Sequence, residues 1–158
     1  MTEAHRSSLG SSSSPADQDY DFHEQVGHLL RKAYQRHTAI FQRESCDPQL
    51  TSIQFVTLCT LSEQGPRSLA EIVRATAIDP ATIRGVIKRL QARALVELSK
   101  DELDQRKVIV SVTPEGERLV AQMVPHAKRI TDLTFGPLNH AERVALLMLL
   151  EKMNESGG

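Results

Sequence analysis

Between Ser68 and Val112 the spacing of apolar residues switches once, from the three-to-four of a helix to the tight spacing of a strand, and few small folds accommodate that switch. Ser68 and Glu71 form the Ser-x-x-Glu signature of a helix start, with Leu69, Ile72 and Val73 turned inward. This helix is expected to end near Thr76-Ala77. Asp79-Pro80 then sets an N-cap acid before a proline at the first helical position, and Ile83, Val86, Ile87 and Leu90 form a buried stripe running to about Arg93. Residues 95–98 and 108–112 are strand-like and rich in β-branched side chains, and residues 99–106 between them are mostly charged. Together they predict a two-stranded hairpin with a long tip.

Helical signals flank this unit. From Asp21 onward Phe22, Val26, Leu29, Ala33 and Ile40 share one stripe, and His23, Gly27, Leu30, Tyr34, His37 and Phe41 share a second beside it. The combined arc is wider than one contact surface needs, so this helix is expected to pack on its own domain and on something else. Asp21 with Glu24 is read as its start, and Cys46-Asp47-Pro48 lies beyond its end. Thr51 with Gln54 predicts another capping box, opening a helix that Gly65-Pro66 stops. Thr113-Pro114 restarts a helix to about Thr134 that contains Pro125, and Asn139 with Glu142 caps a last one whose leucines lie almost all round.

Composition narrows the class. Of 158 residues, 19 are basic and 20 acidic, a net charge of −1 that excludes a polycationic coat for nucleic acid and an acidic disordered tail protein. Aromatic residues are 4% and tryptophan is absent, so the core must be aliphatic. No apolar run approaches a membrane span, and residues 1–19 lack the apolar stretch of a secretory signal, so a cytoplasmic protein is expected. Residues 1–19 are serine-rich and are read as a disordered tail. No Gly-rich phosphate loop, His-Glu-x-x-His or nucleophile elbow is present, which argues against an enzyme. The histidines lack metal-ligand spacing, and neither a metal nor a cofactor is expected.

Two short helices and a hairpin are the parts of a winged helix-turn-helix. Residues 80–94 contain no acid, and Arg84, Lys88, Arg89 and Arg93 give this helix +4 in a chain of −1. Away from its buried stripe lie Pro80, Ala81, Thr82, Arg84, Gly85 and Lys88. Small residues there allow close approach to a DNA groove, and arginine reaches guanine edges or phosphate. At the hairpin tip Asp104 precedes Arg106 and Lys107; an arginine on a slender projection suits the minor groove, and a neighbouring carboxylate holds its fork in place.

Residues 51–116 resemble the multiple-antibiotic-resistance regulator (MarR) family of winged-helix transcription factors. The resemblance is carried by Gln54-Phe55, by Ser68-Leu69-Ala70-Glu71-Ile72, by Asp79 through Leu90, and by Asp104-Gln105-Arg106 followed after five residues by Val112-Thr113-Pro114-Glu115-Gly116. With the flanking helices it extends over about residues 20–155. Three positions depart from the pattern: Ala94 stands where glycine usually ends the recognition helix, Glu97 where a basic residue is common, and Gly85 where arginine is frequent. The resemblance implies a mainly α fold with a small β-hairpin wing: an N-terminal dimerisation helix (20–46), a DNA-binding domain (50–113) and C-terminal dimerisation helices (114–155). It implies a homodimeric repressor on a pseudo-palindromic double-stranded operator, with Ser68, Arg89 and the residues named above at the DNA.

It further implies release by a small effector, a phenol or aromatic acid, in a cleft beside the dimer helices. His23, Tyr34 and His37 are the candidate lining, and Arg31 is available for a carboxylate. Two alternatives remain open. Cys46 and Cys59 allow a thiol-based redox sensor of the same fold, although Cys59 is expected to be inert core. A winged helix serving only protein assembly is the other.

Overall fold

The computed structural model describes residues 21–155, so the serine-rich segment 1–19 lies outside the described residues. The helix starts follow the caps. Thr51 and Ser68 each accept a bond from the backbone N–H three residues on, and Gln54 and Glu71 reach back to the cap N–H. These two capping boxes open α2 (Ser52–Gln64) and α3 (Leu69–Thr76). Asp79 accepts from Thr82 N at 2.9 Å to open α4 (Pro80–Ala92), and Thr113 accepts from Gly116 N at 3.1 Å to open α5 (Pro114–Phe135). Asn139 and Glu142 exchange bonds of 3.0 and 2.8 Å at the head of α6 (His140–Glu155). The first helix starts later than its sequence suggests. Asp21 caps only a 3-10 turn, Phe22–Glu24, by accepting from His23 N; Gln25 is extended, and α1 runs Val26–Glu44.

The hairpin is present as β2 (Val96–Lys100) and β3 (Val108–Val112), paired from Val96↔Val112 to Lys100↔Val108. A third strand, absent from the sequence reading, completes the sheet: β1 (Arg67–Ser68) pairs antiparallel with β3, giving the order β1-β3-β2. Two residues carry no periodicity, and their pairing is a matter of backbone position alone. Gly116 in the first turn of α5 sits where a Cβ would lie 2.3 Å from the Leu95 carbonyl oxygen, so only glycine lets α5 close on the start of the hairpin.

The core is aliphatic. Leu50, Leu58, Leu61, Ile72, Ile83, Leu90, Val110, Met123 and Ile130 are fully buried between α2, α3, α4, β3 and α5. From α1 only Ile40 and Phe41 join it. No residue of α6 is buried. Val144, Leu147 and Met148 of α6, with Phe22, Val26, Leu29 and Tyr34 near the other end of the chain, are left exposed.

Ala94, after α4, has φ 55°, the left-handed conformation that glycine adopts without steric cost. Ala94→Gly is therefore expected to stabilise the fold by about 0.5–1 kcal/mol. Thermal melts of the two proteins measure this; an unchanged or lower Tm would show that the strain is absorbed elsewhere.

Candidate nucleic-acid interface and effector cleft

Helix α3 lies between the wing and α4, with a groove on each side. The groove against the wing, about 470 Å³, is lined by Ser68, Arg74, Asp101, Arg106 and Lys107 among others. The groove against α4, about 500 Å³, takes in Leu69, Arg74, Pro80, Ile83 and Arg84. Arg74 borders both. It was not singled out from the sequence, where it is one more basic residue at a helix C-terminus.

On α4 the side chains of Ile83, Val86, Ile87 and Leu90 are buried while Pro80, Ala81, Arg84, Lys88 and Arg89 are exposed and Thr82 and Gly85 are half-buried. Gly85 leaves room for Arg89, whose guanidinium lies 3.4 Å from where a Cβ would stand. The fourth basic residue of this segment does not join that face. Arg93 turns inward and pairs with Asp47, so the open surface of α4 carries the charges of Arg84, Lys88 and Arg89 alone.

The acids on this face are spent on backbone and caps. Asp79 bonds Thr82 through both its amide and its hydroxyl, and the hydroxyl bond, first among its causes, holds the carboxyl below its ordinary value. Glu71 is held low in the same way by Ser68. Among the described residues none of Arg74, Arg84, Lys88, Arg89 and Lys107 is ion-paired. These carboxylates keep their negative charge, so the cations that stand clear of them are Arg84, Lys88 and Arg89 on α4, in a chain of net charge −1.

The wing tip is built to present one arginine. Asp101 accepts from Leu103 N and Asp104 N at 2.8 and 2.9 Å, and Lys107 N closes onto the Asp104 carbonyl at 2.9 Å. Asp104 then accepts from both the backbone N and the Nε of Arg106, each at 3.1 Å. The Arg106 bond keeps the Asp104 carboxyl below its ordinary value, hence ionised, while the Arg106 side chain remains 92% exposed. Leu103, 99% exposed at the same tip, was also overlooked, having no apolar neighbour in its periodicity.

A second region lies between α1, α2, α3 and α5. Two adjoining cavities of about 180 and 170 Å³ share His37, Ser52 and Val56. Tyr34, Thr76 and Ile78 line the first, Phe41, Phe55 and Ile130 the second. Tyr34 and His37 are thus brought together, with ring centroids 6.4 Å apart. His23 instead meets Phe22 and His28 edge-on before and at the start of α1, and Arg31 is exposed on α1; neither lines these cavities.

His37 Nδ1 is 3.1 Å from Thr134 Oγ1, whose own proton goes to the Ile130 carbonyl at 2.7 Å. With the hydroxyl proton given to Ile130, Nδ1 carries the ring proton toward Thr134 and Nε2 of the neutral ring is left as an acceptor. Burial lowers the His37 pKa from the ordinary 6.5. The unfolded chain then binds this proton more readily than the folded one, so the contribution of His37 to stability is full above pH 6.5 and falls as the pH drops toward its folded value. His37→Gln is expected to flatten the acid limb of a Tm-against-pH curve below that point; parallel limbs would argue against it.

Burial, then the nearby Glu63, pushes the half-buried Cys59 thiol up to about 11, away from the reactivity a redox sensor needs. Cys46 is exposed in the α1–α2 connection. Among the described residues no cluster of His, Cys, Asp or Glu could hold a metal ion, and no helix is long and apolar enough to cross a membrane.

Fold and charged face together define a winged helix-turn-helix DNA-binding protein. Residues 50–108 match the MarR family model. The chain is 62% identical over 146 residues, 92% of each chain, to the HTH-type transcriptional repressor NicR of Pseudomonas putida. A solved structure of Bordetella bronchiseptica BpsR, whose DNA binding is regulated by 6-hydroxynicotinic acid, is 58% identical and superposes with a TM-score of 0.81 over 86% of this chain and 98% of that one. A mutant of Escherichia coli MarR bound to operator DNA shares the fold at 21% identity, with a TM-score of 0.74 over 81% of this chain and 92% of that one. The chain belongs to the MarR family: it is a DNA-binding transcriptional regulator and not an enzyme.

Proposed function

We propose that this protein is a cytoplasmic homodimeric repressor that leaves its operator when a hydroxylated aromatic acid of the 6-hydroxynicotinic type occupies the cleft around Tyr34 and His37. The observation that carries the reading is the pairing of an exposed basic helix face with an apolar cleft holding a neutral histidine, in a chain closely similar to NicR and BpsR. A cavity of about 150 Å³ holds a benzene ring, and each half of the cleft exceeds that. His37 Nε2 accepts a ring hydroxyl or N–H, and the aromatic and aliphatic walls take the ring faces.

At the DNA, α4 enters the major groove with Ala81, Thr82 and Gly85 nearest its floor and Arg84 on base edges. Ser68, Lys88, Arg89 and Lys107 meet phosphates, the N-terminus at Pro80 favours one more, and Arg106 enters the minor groove. The exposed apolar surfaces of α1 and α6 cover each other across the two-fold, setting the recognition helices about one turn apart. Effector binding acts by favouring a different separation, which requires unequal affinity for the two arrangements.

The test selects bound duplex from a random pool, then titrates the complex with salt and with 6-hydroxynicotinic acid. A steep loss with salt and release by the acid are expected. A salt-independent complex, or one that the acid leaves intact at saturation, overturns the reading.

A further inference from the structure

The last turn of α5 divides its bonds between two other helices, residue by residue. Leu133 and Thr134 turn to α1: Arg36 Nη2 donates to the Leu133 carbonyl at 2.9 Å, and His37 Nδ1 shares a hydrogen bond of 3.1 Å with Thr134 Oγ1. Asp132 and Phe135 turn to α6: Arg143 Nη1 donates to Asp132 Oδ1 at 2.8 Å, and its guanidinium lies over the Phe135 ring, 5.1 Å from the centroid. Arg143 Nε also donates to the Leu138 carbonyl at 3.0 Å, spanning the corner between α5 and α6. At the corner itself Gly136 has φ +59°, and a Cβ there would come within 2.9 Å of Arg36 Nη2. The side chain that holds α1 to this turn is thus seated in the space the glycine leaves.

Since α6 buries none of its residues, its direction depends heavily on this corner. One neighbour of the turn, His37, lines the effector cleft; the other, α6, carries the uncovered apolar surface. We propose that the last turn of α5 is the joint through which an occupied cleft redirects α6, with Arg36 and Arg143 as its positioning residues. This rests on the effector reading above. A ligand bonded to His37 changes the balance of the bond to Thr134, the turn shifts against α1, and Arg143 passes the shift to the arm.

The joint is tested with Arg143→Met, which keeps the length and apolar stem but removes the donors, and with Arg36→Met, which removes the bond from α1 to the Leu133 carbonyl. Neither residue is placed in the cleft or at the DNA. For the wild type and each variant, sedimentation reports the dimer, calorimetry the affinity for 6-hydroxynicotinic acid, and gel shift the affinity for the selected duplex with and without the acid. Both variants are expected to remain dimers with both separate affinities within about threefold of wild type, while the factor by which the acid weakens duplex binding falls by about tenfold. If both variants release the duplex at the wild-type acid concentration, the joint is overturned and the effector reading stands. If the wild type binds no acid in calorimetry, the effector reading falls and the joint with it. If one variant fails to dimerise, the other decides.

Discussion

Arg106→Ala is expected to weaken operator binding by about 30- to 1,000-fold while leaving the Tm within about a degree of wild type. A charge-assisted hydrogen bond is worth about 1.5–3 kcal/mol, part of which hydration of the free guanidinium already supplies, and a dimer loses two such contacts, so a net loss of roughly 2–4 kcal/mol follows. Stability is spared because the side chain is 92% exposed and its bond to Asp104 is a surface ion pair. The wing turn itself is held by Asp101 and by the Lys107 N to Asp104 carbonyl bond, neither of which needs the arginine. Asp104→Asn separates orientation from charge: it loosens the fork without removing it, and a smaller loss is expected. Gel shifts across a salt series measure both, and the salt slope for Arg106→Ala is expected to drop by about two. Unchanged affinity on the selected duplex would remove the wing from the interface.

The second large effect concerns α6. Val144→Glu with Leu147→Glu places two charges on a helix whose Val144 and Leu147 are 53% and 50% exposed in the single chain. Nothing in the subunit core is disturbed, so the protomer is expected to fold. Burying those charges against a second copy would be prohibitive, so the protein is expected to sediment as a monomer. Operator affinity is then expected to fall by at least about 100-fold, because each half-site is bound without the effective concentration its twin provides. A variant that remains dimeric would place the interface elsewhere; a monomer with full affinity would break the link between dimerisation and operator binding.

Most elements are written locally. Thr51 with Gln54 and Ser68 with Glu71 are three residues apart, and a bond across that distance forms as soon as one turn of helix does, so the sequence shows both boxes. The same holds for Pro80 after Asp79 and for the Asp104–Arg106 pair, which lie within one turn of each other. Ala94 was legible as a departure from the family pattern, and its φ of 55° is the cost that departure implies. Arg93 enters the sequence reading only through the charge of its segment; its inward turn was not legible, because its partner Asp47 is 46 residues away.

What the chain alone determined is the set of parts and their chemistry: capped short helices, a β-branched hairpin, an acid-free basic helix and an arginine held at a tip. Each depends on neighbours within about four residues, and spacing records such neighbours directly. The tertiary structure alone decided how the parts meet. It added β1 by backbone pairing and set Arg74 between two grooves. It joined His37 to Thr134 across 97 residues and left α6 without a cover inside its own subunit. Those outcomes depend on where packed helices cross, which the whole core fixes at once.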